Sequence, residues 1–181
     1  MKRFSSRALF FLSCFFIGCG SNSVLWRKGE VPFIPTPSGV VDRMLELAEV
    51  KATDVVYDIG SGDGRIVIRA AKKYGASAVG IEIDGELIDR ARSRASVEGV
   101  DHLVKFREED ALNADISEAS VVTLYMFPDF NNKIEPKLRK LRSGARVVSH
   151  DFGIEGWTPT KTETVADTRF HTHTLYLWIV P

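Results

Sequence analysis

One segment constrains this chain more than any other: Val55-Val56-Tyr57-Asp58-Ile59-Gly60-Ser61-Gly62-Asp63-Gly64-Arg65-Ile66. A short run of strand formers breaks at three closely spaced glycines, and a helical pattern resumes at Arg65. β-Branched residues dominate Val55 to Ile59 and turn residues follow at once, which predicts a buried strand. The glycines let the backbone turn tightly and approach a ligand with no Cβ in the way. From Arg65 onward, Ile66, Ile68 and Ala70 predict a helix whose first amides face the loop. Strand, loop and helix N-terminus together form a ligand cradle common in open α/β sheets.

The dinucleotide fingerprint G-x-G-x-x-G would need glycine where Arg65 stands, and a P-loop would need Lys-Ser or Lys-Thr to close the loop. Instead an acid, Asp58, leads the loop. This D-x-G-x-G-x-G pattern resembles motif I of the class I S-adenosylmethionine-dependent methyltransferases. The resemblance implies that Asp58, Gly60, Ser61, Gly62 and Gly64 hold S-adenosyl-L-methionine. A tight turn that binds nothing is the alternative.

The remaining chain alternates in the order that fold requires. Val40, Val41, Met44, Leu45, Leu47 and Ala48 predict an amphipathic helix capped by Ser38. Ala78 to Asp84 reads as the second strand. Glu82 follows the loop by about twenty residues, where an acid accepts from both ribose hydroxyls; Ile83 adjoins it. A helix over Glu86–Glu98 and a strand over Leu103–Arg107 come next. Asp110 stands where the class I fold places an acceptor for the adenine amino group, with Ala111 beside the ring. Ser120 to Tyr125 is a fourth strand, a helix carries Ile134 and Leu138, and Ala145 to Ser149 is a fifth strand. Lys161–Val165 and Thr174–Val180 alternate as an antiparallel pair. The expected fold is α/β, doubly wound and three-layered, with a mostly parallel seven-strand sheet and a C-terminal antiparallel hairpin.

The 181 residues suit one folded domain, over 38–181, preceded by an extended strap over 20–37 and a leader over 1–19. Three prolines exclude helix from Val31-Pro32-Phe33-Ile34-Pro35-Thr36-Pro37. This strap is either packed cover or a lid. Zero formal net charge gives no overall pull toward nucleic acid or anionic lipid. The two cysteines, Cys14 and Cys19, both lie in the leader, so neither a disulfide framework nor a cysteine metal site is expected. His171 and His173 are read as surface residues and no metal is expected. The expected state is a monomer.

In the leader, Lys2, Arg3 and Arg7 precede an apolar segment over Ala8–Gly18. Phe16-Ile17-Gly18-Cys19 resembles a bacterial lipobox, which implies lipidation at Cys19 and a membrane-associated, lipid-anchored location in the cell envelope. A retained membrane anchor is a second reading. Cofactor supply favours the cytoplasm, and a start just before Val24 would give a cytoplasmic protein.

Three stretches narrow the family: the proline strap, Asp58 to Val67, and Gly144-Ala145-Arg146-Val147-Val148-Ser149. Together they resemble the small protein-lysine methyltransferases that act on the c-type subunit of ATP synthase and on the adenine nucleotide translocase. The likeness covers roughly Val31 to Trp157. It implies a protein lysine as methyl acceptor. The Asn- or Asp-Pro-Pro-aromatic motif of many amino-group methyltransferases is absent after the fourth strand. Thr36, Tyr125, Met126 and Phe127 are instead expected to line an apolar channel for a long amine. Tyr125 to Phe130 is this chain's own, so the target protein does not carry over. A small-molecule methyltransferase and a non-catalytic lipoprotein on the same fold are the alternatives. A lysine must lose its proton before it can attack. Asp129 and His150 are the candidate acceptors, although surface roles are expected for both.

Overall fold

The structure, a computed structural model, describes residues 33–166 and 172–181. The leader with Cys19, the first part of the strap, and His171 lie outside those residues. Eleven elements follow in order: α1 (Ser38–Leu47), β1 (Val55–Ile59), α2 (Arg65–Tyr74), β2 (Ser77–Glu82), α3 (Gly85–Val97), β3 (Val104–Glu108), β4 (Val121–Leu124), α4 (Pro128–Leu138), β5 (Arg146–His150), β6 (Lys161–Ala166) and β7 (Thr172–Ile179). The strands form one seven-stranded sheet in the order β3-β2-β1-β4-β5-β7-β6. β1 to β5 are mutually parallel, and β7 lies antiparallel between β5 and β6. This is the expected three-layer fold.

Two apolar layers follow from strand alternation. Val56, Ala78, Val121, Val148 and Leu177 face α1 and α2 on one side of the sheet. Tyr57, Val79, Val122, Val147 and Trp178 pack with Ile134 and Leu138 of α4 on the other. Neighbouring residues of one strand serve opposite cores, so the central strands are apolar on both faces. At the end of the sheet opposite the glycine loop, Arg146 pairs with Asp54, and Ser120 Oγ donates to the same carboxylate at 2.7 Å. This cluster ties the starts of β1, β4 and β5 together.

Local signals shifted slightly. Ser38 begins α1 but does not cap it; Pro37 occupies the cap position with no side-chain hydrogen bond. α3 carries a side-chain cap, with Asp84 Oδ1 accepting from the Glu86 amide at 2.9 Å.

The expected membrane-anchored location is corrected. Among the described residues, no helix is long and apolar enough to cross a membrane. The features that suggested anchoring all fall in the leader.

Candidate active site

Strand order reverses between β1 and β4, which opens a crevice at the carboxyl ends of the parallel strands. A cavity of about 530 Å³ occupies this position. Its floor is the glycine loop. The Gly60 and Ser61 amides both donate to Ile81 O at 2.9 Å, fixing the loop across the end of β2. Gly60 has φ +72°, and a Cβ there would meet Met126 Sδ at 2.7 Å. Gly64 lies in the left-handed region and caps α2.

Glu82 ends β2 beside this loop. Its Oε2 accepts from the Gly62 amide at 2.9 Å, and Oε1 accepts from Ile83 N at 2.8 Å and Asp84 N at 3.1 Å. A carboxylate offers about four acceptor sites, so this one is fixed in place yet retains capacity toward the cavity it lines. Asp58 stands opposite Thr123 in the β1–β4 register and accepts from its hydroxyl at 2.6 Å. Complete burial pushes the Asp58 carboxyl up to about 7, with the Thr123 hydrogen bond opposing the shift and Glu82 and Asp63 adding to it. Burial acts to raise Asp63 too, but hydrogen bonding and charge from Arg65, with Arg94, hold it below the usual carboxylate range.

The cavity brings together Asp58, Gly60, Ser61, Glu82, Ile83, Asp110, Ala111, Thr36, Tyr125, Met126 and Phe127. Gly62 and Gly64 lie behind this lining. A Cβ at Gly62 would meet the Phe33 ring at 2.3 Å, and one at Gly64 would meet Phe106 at 2.7 Å. Asp110 turns one oxygen into its own loop, accepting from Leu112 N at 2.9 Å. Lys137 of α4 holds that loop by donating to Leu112 O at 2.7 Å and Ala114 O at 2.6 Å.

The strap crosses the cavity. Phe33, Ile34, Pro35 and Thr36 all line it, and Arg65 donates to Thr36 O at 2.8 Å while its guanidinium sits 5.9 Å from the Phe33 ring. Phe130 and Lys133, one helical turn apart on α4, complete the wall. Lys133 escaped the sequence reading, although its i, i+3 spacing from Phe130, just past β4, signals a shared face. Six carboxylates (Asp58, Asp63, Glu82, Asp84, Glu109, Asp110) line the cavity against two basic side chains, Arg65 and Lys133.

The two expected proton acceptors part company. Asp129 is exposed in the first turn of α4 and is not among the lining residues. His150 is not a surface residue. It is fully buried behind Thr36 and Tyr125, with its ring centroid 3.9 Å from that of Tyr125. His173 is also buried, against expectation, because β7 inserts between β5 and β6 and turns this position inward. The ring nitrogens His150 Nε2 and His173 Nδ1 are 2.8 Å apart, a distance at which one proton is shared in a hydrogen bond.

Sheet order, glycine loop, acid-ended β2 and a cavity at the switch point define a class I methyltransferase. Residues 58–161 match the ANTKMT methyltransferase domain, and the chain belongs to that family. It is 45% identical over 153 residues to a protein-lysine N-methyltransferase of Saccharolobus islandicus, covering 83% of this chain and 94% of the relative. A Homo sapiens lysine N-methyltransferase named for the c-type subunit of ATP synthase is 39% identical over 74% of this chain, which spans 57% of the human protein. A solved structure of an RNA methyltransferase from Salinibacter ruber, in complex with S-adenosyl-L-homocysteine, superposes with a TM-score of 0.76 at 54% identity. The match covers 82% of this chain and 94% of that one. The chain is an S-adenosylmethionine-dependent methyltransferase, and S-adenosyl-L-methionine is its cofactor. The residues present fit that group. The buried Ser61 Oγ has no hydrogen-bond partner among the described residues, and the acidic lining suits a cation.

Proposed function

We propose that this enzyme N-methylates lysine side chains of a protein. The charge and shape of the cavity carry the reading: with Asp58 holding its proton up to about pH 7, Asp63 paired with Arg65 and Arg94, and Glu109 paired with Arg107, the lining carboxylates Glu82, Asp84 and Asp110 still outnumber Lys133, and Tyr125, Met126, Phe127 and Phe130 form an aromatic and apolar wall. Such a site attracts a cationic amine on a long aliphatic stem and repels phosphate. The lysine-methylating relatives support the same substrate.

In this reading, Glu82 holds the cofactor's ribose, the Gly60–Gly64 loop carries its amino-acid end, and Asp110 with Ala111 borders the adenine. Bound S-adenosylmethionine supplies an electrophilic methyl group. The chain's part is to align the amine, exclude water and accept a proton. Alignment contributes up to roughly 7–11 kcal/mol in ideal intramolecular cases. Apolar burial beside positive charge lowers the amine's pKa and favours the attacking form. Among the described residues, Thr36 and Tyr125 place the only hydroxyls of this proposed acceptor wall, and the Phe33–Thr36 strap covers it.

The test is transfer of a radiolabelled methyl group into a cell extract separated into protein, RNA and small-molecule fractions. Label in protein, recovered as methyl-lysine after hydrolysis, is expected. The Salinibacter ruber RNA methyltransferase favours RNA as the second reading, and label confined to RNA would establish it. Glu82→Ala is expected to weaken donor binding by calorimetry at least tenfold and to lower the melting temperature, because the Gly62, Ile83 and Asp84 amides lose their acceptor. Unchanged affinity would remove Glu82 from the ribose role.

A further inference from the structure

We infer that Thr36, His150 and His173 form the proton exit of the methyl-acceptor cavity, with Asp151 as the fixed countercharge. The inference rests on the lysine reading above, because each transfer to an ammonium must release a proton. A lysine ammonium and a sulfonium methyl become a methylammonium and a thioether, and one proton is left over. The described lining offers that proton no histidine. The carboxylates sit on the side proposed to hold the cofactor.

Two hydroxyls on the acceptor wall lead out of the cavity into one buried polar cluster. Thr36, 4% exposed, lies 3.3 Å through Oγ1 from His150 Nδ1. His150 Nε2 lies 2.8 Å from His173 Nδ1. Asp151 Oδ2 is 3.2 Å from His150 Nε2 and 3.5 Å from His173 Nδ1. Tyr125, the second hydroxyl, is hydrogen-bonded to Asp151 and covers the His150 ring. The chain therefore runs from a cavity wall to a carboxylate whose side chain is 19% exposed. Asp151 is held in place at φ +58°, its Oδ1 accepting from Thr174 N at 2.8 Å. Such a backbone angle is unfavourable for an aspartate unless its surroundings enforce it. The titratable groups packed on His150 among the described residues are Asp151 beside it, His173 from β7 and Tyr125 from the end of β4.

The step balances with O–H and N–H bonds alone. The acceptor ammonium gives a proton to Thr36 Oγ1, the Thr36 hydroxyl proton passes to His150 Nδ1, and the His150 Nε2 proton passes to His173 Nδ1. Positive charge forms on His173 and is discharged as that proton passes to Asp151 Oδ2, 3.5 Å from His173 Nδ1 on a side chain that is 19% exposed, and from there to solvent. His150 and His173 act through Thr36 and are positioning residues in this scheme.

The test compares wild type with Thr36→Val, His150→Gln and His173→Asn, using the full chain and poly-L-lysine as acceptor. Donor affinity by calorimetry is expected to stay within about threefold. At neutral pH, kcat should fall about 100-fold, at the low end of general acid–base contributions. The deficit should shrink toward pH 10, where solvent deprotonates the amine. Thr36→Val keeps the side-chain volume and both histidines, so it tests the path even if a histidine variant misfolds. Variants that bind donor and keep the wild-type kcat and pH profile would overturn the relay alone, as would an equal loss at every pH. Activity lost on chelation and restored by zinc would also overturn it. Wild-type enzyme that labels no lysine overturns the lysine reading and the relay with it.

Discussion

Asp58 shows how one residue couples the fold to its ligand. The strand that carries it is apolar on both faces, so its carboxyl is enclosed and held near 7 by burial, relieved only by the Thr123 hydroxyl. Below about pH 3.8, the ordinary value, the group is protonated folded or unfolded. Between there and about 7 the unfolded chain has released the proton and the folded chain retains it. Stability is therefore lost as pH rises through that window, by on the order of a few kcal/mol. A bound sulfonium favours the ionised form, so donor affinity should rise from pH 6 to 8. Asp58→Asn keeps an acceptor for Thr123 but cannot ionise. Urea unfolding of the unliganded variant should show a flatter pH dependence, with a gain over wild type at pH 8. Calorimetry should show weaker donor binding whose pH dependence has disappeared. An unchanged stability profile would mean that Asp58 is ionised throughout. The role of an acid before the glycine loop was legible in the motif; its enclosure was not, because that depends on Thr123, which arrives 65 positions later.

At the scale of elements, the strap and the glycine loop are one unit. Gly62 has φ +53°, and the Phe33 ring fills the space where its side chain would be. Arg65, the first residue of α2, reaches back to the strap at Thr36 O. Gly62→Ala should therefore cost about 1–3 kcal/mol through the left-handed backbone alone and also push Phe33 off the loop. Adding Phe33→Ala should relieve the clash but not the backbone strain. A double-mutant cycle by urea denaturation should show coupling of at least about 0.5 kcal/mol, and additive effects would mean that the strap does not rest on the loop. The order of strands and helices was readable because short apolar runs end at glycine or proline breaks and give way to a period of about 3.6. The burial of His150 and His173 was not. An alternating strand such as Thr172–Ile179 looks alike at an edge or inside a sheet, and only the insertion of β7 between β5 and β6 decides which. The same uncertainty touched the strap, whose prolines excluded regular structure without saying that Thr36 would be enclosed and Ile34 left 55% exposed.

For the molecule as a whole, zero net charge conceals an uneven distribution. Away from the cavity, opposite charges are paired across elements: Arg43 with Glu163, Arg69 with Asp42, and Lys72 with Glu98. These partly exposed pairs each contribute little to stability and cancel one another's field at a distance. Around the cavity Asp63 and Glu109 are paired as well and Asp58 holds its proton up to about pH 7, so Glu82, Asp84 and Asp110 against Lys133 form the local field an approaching substrate meets. A cationic lysine segment should be drawn in, and its attraction should weaken with salt, because the screening length falls from about 10 Å at 0.1 M to about 3 Å at 1 M. With poly-L-lysine as acceptor, KM is expected to rise several-fold across that range while kcat changes less than twofold, since alignment inside the cavity is short-ranged. Single-stranded RNA should not compete, because the same carboxylates repel its phosphates. An RNA-binding surface would behave in the opposite way, with tight binding at low salt lost steeply as counterions are restored. RNA that competes at low salt and takes up label, together with a salt-independent KM for poly-L-lysine, would show that the acidic mouth does not select the substrate.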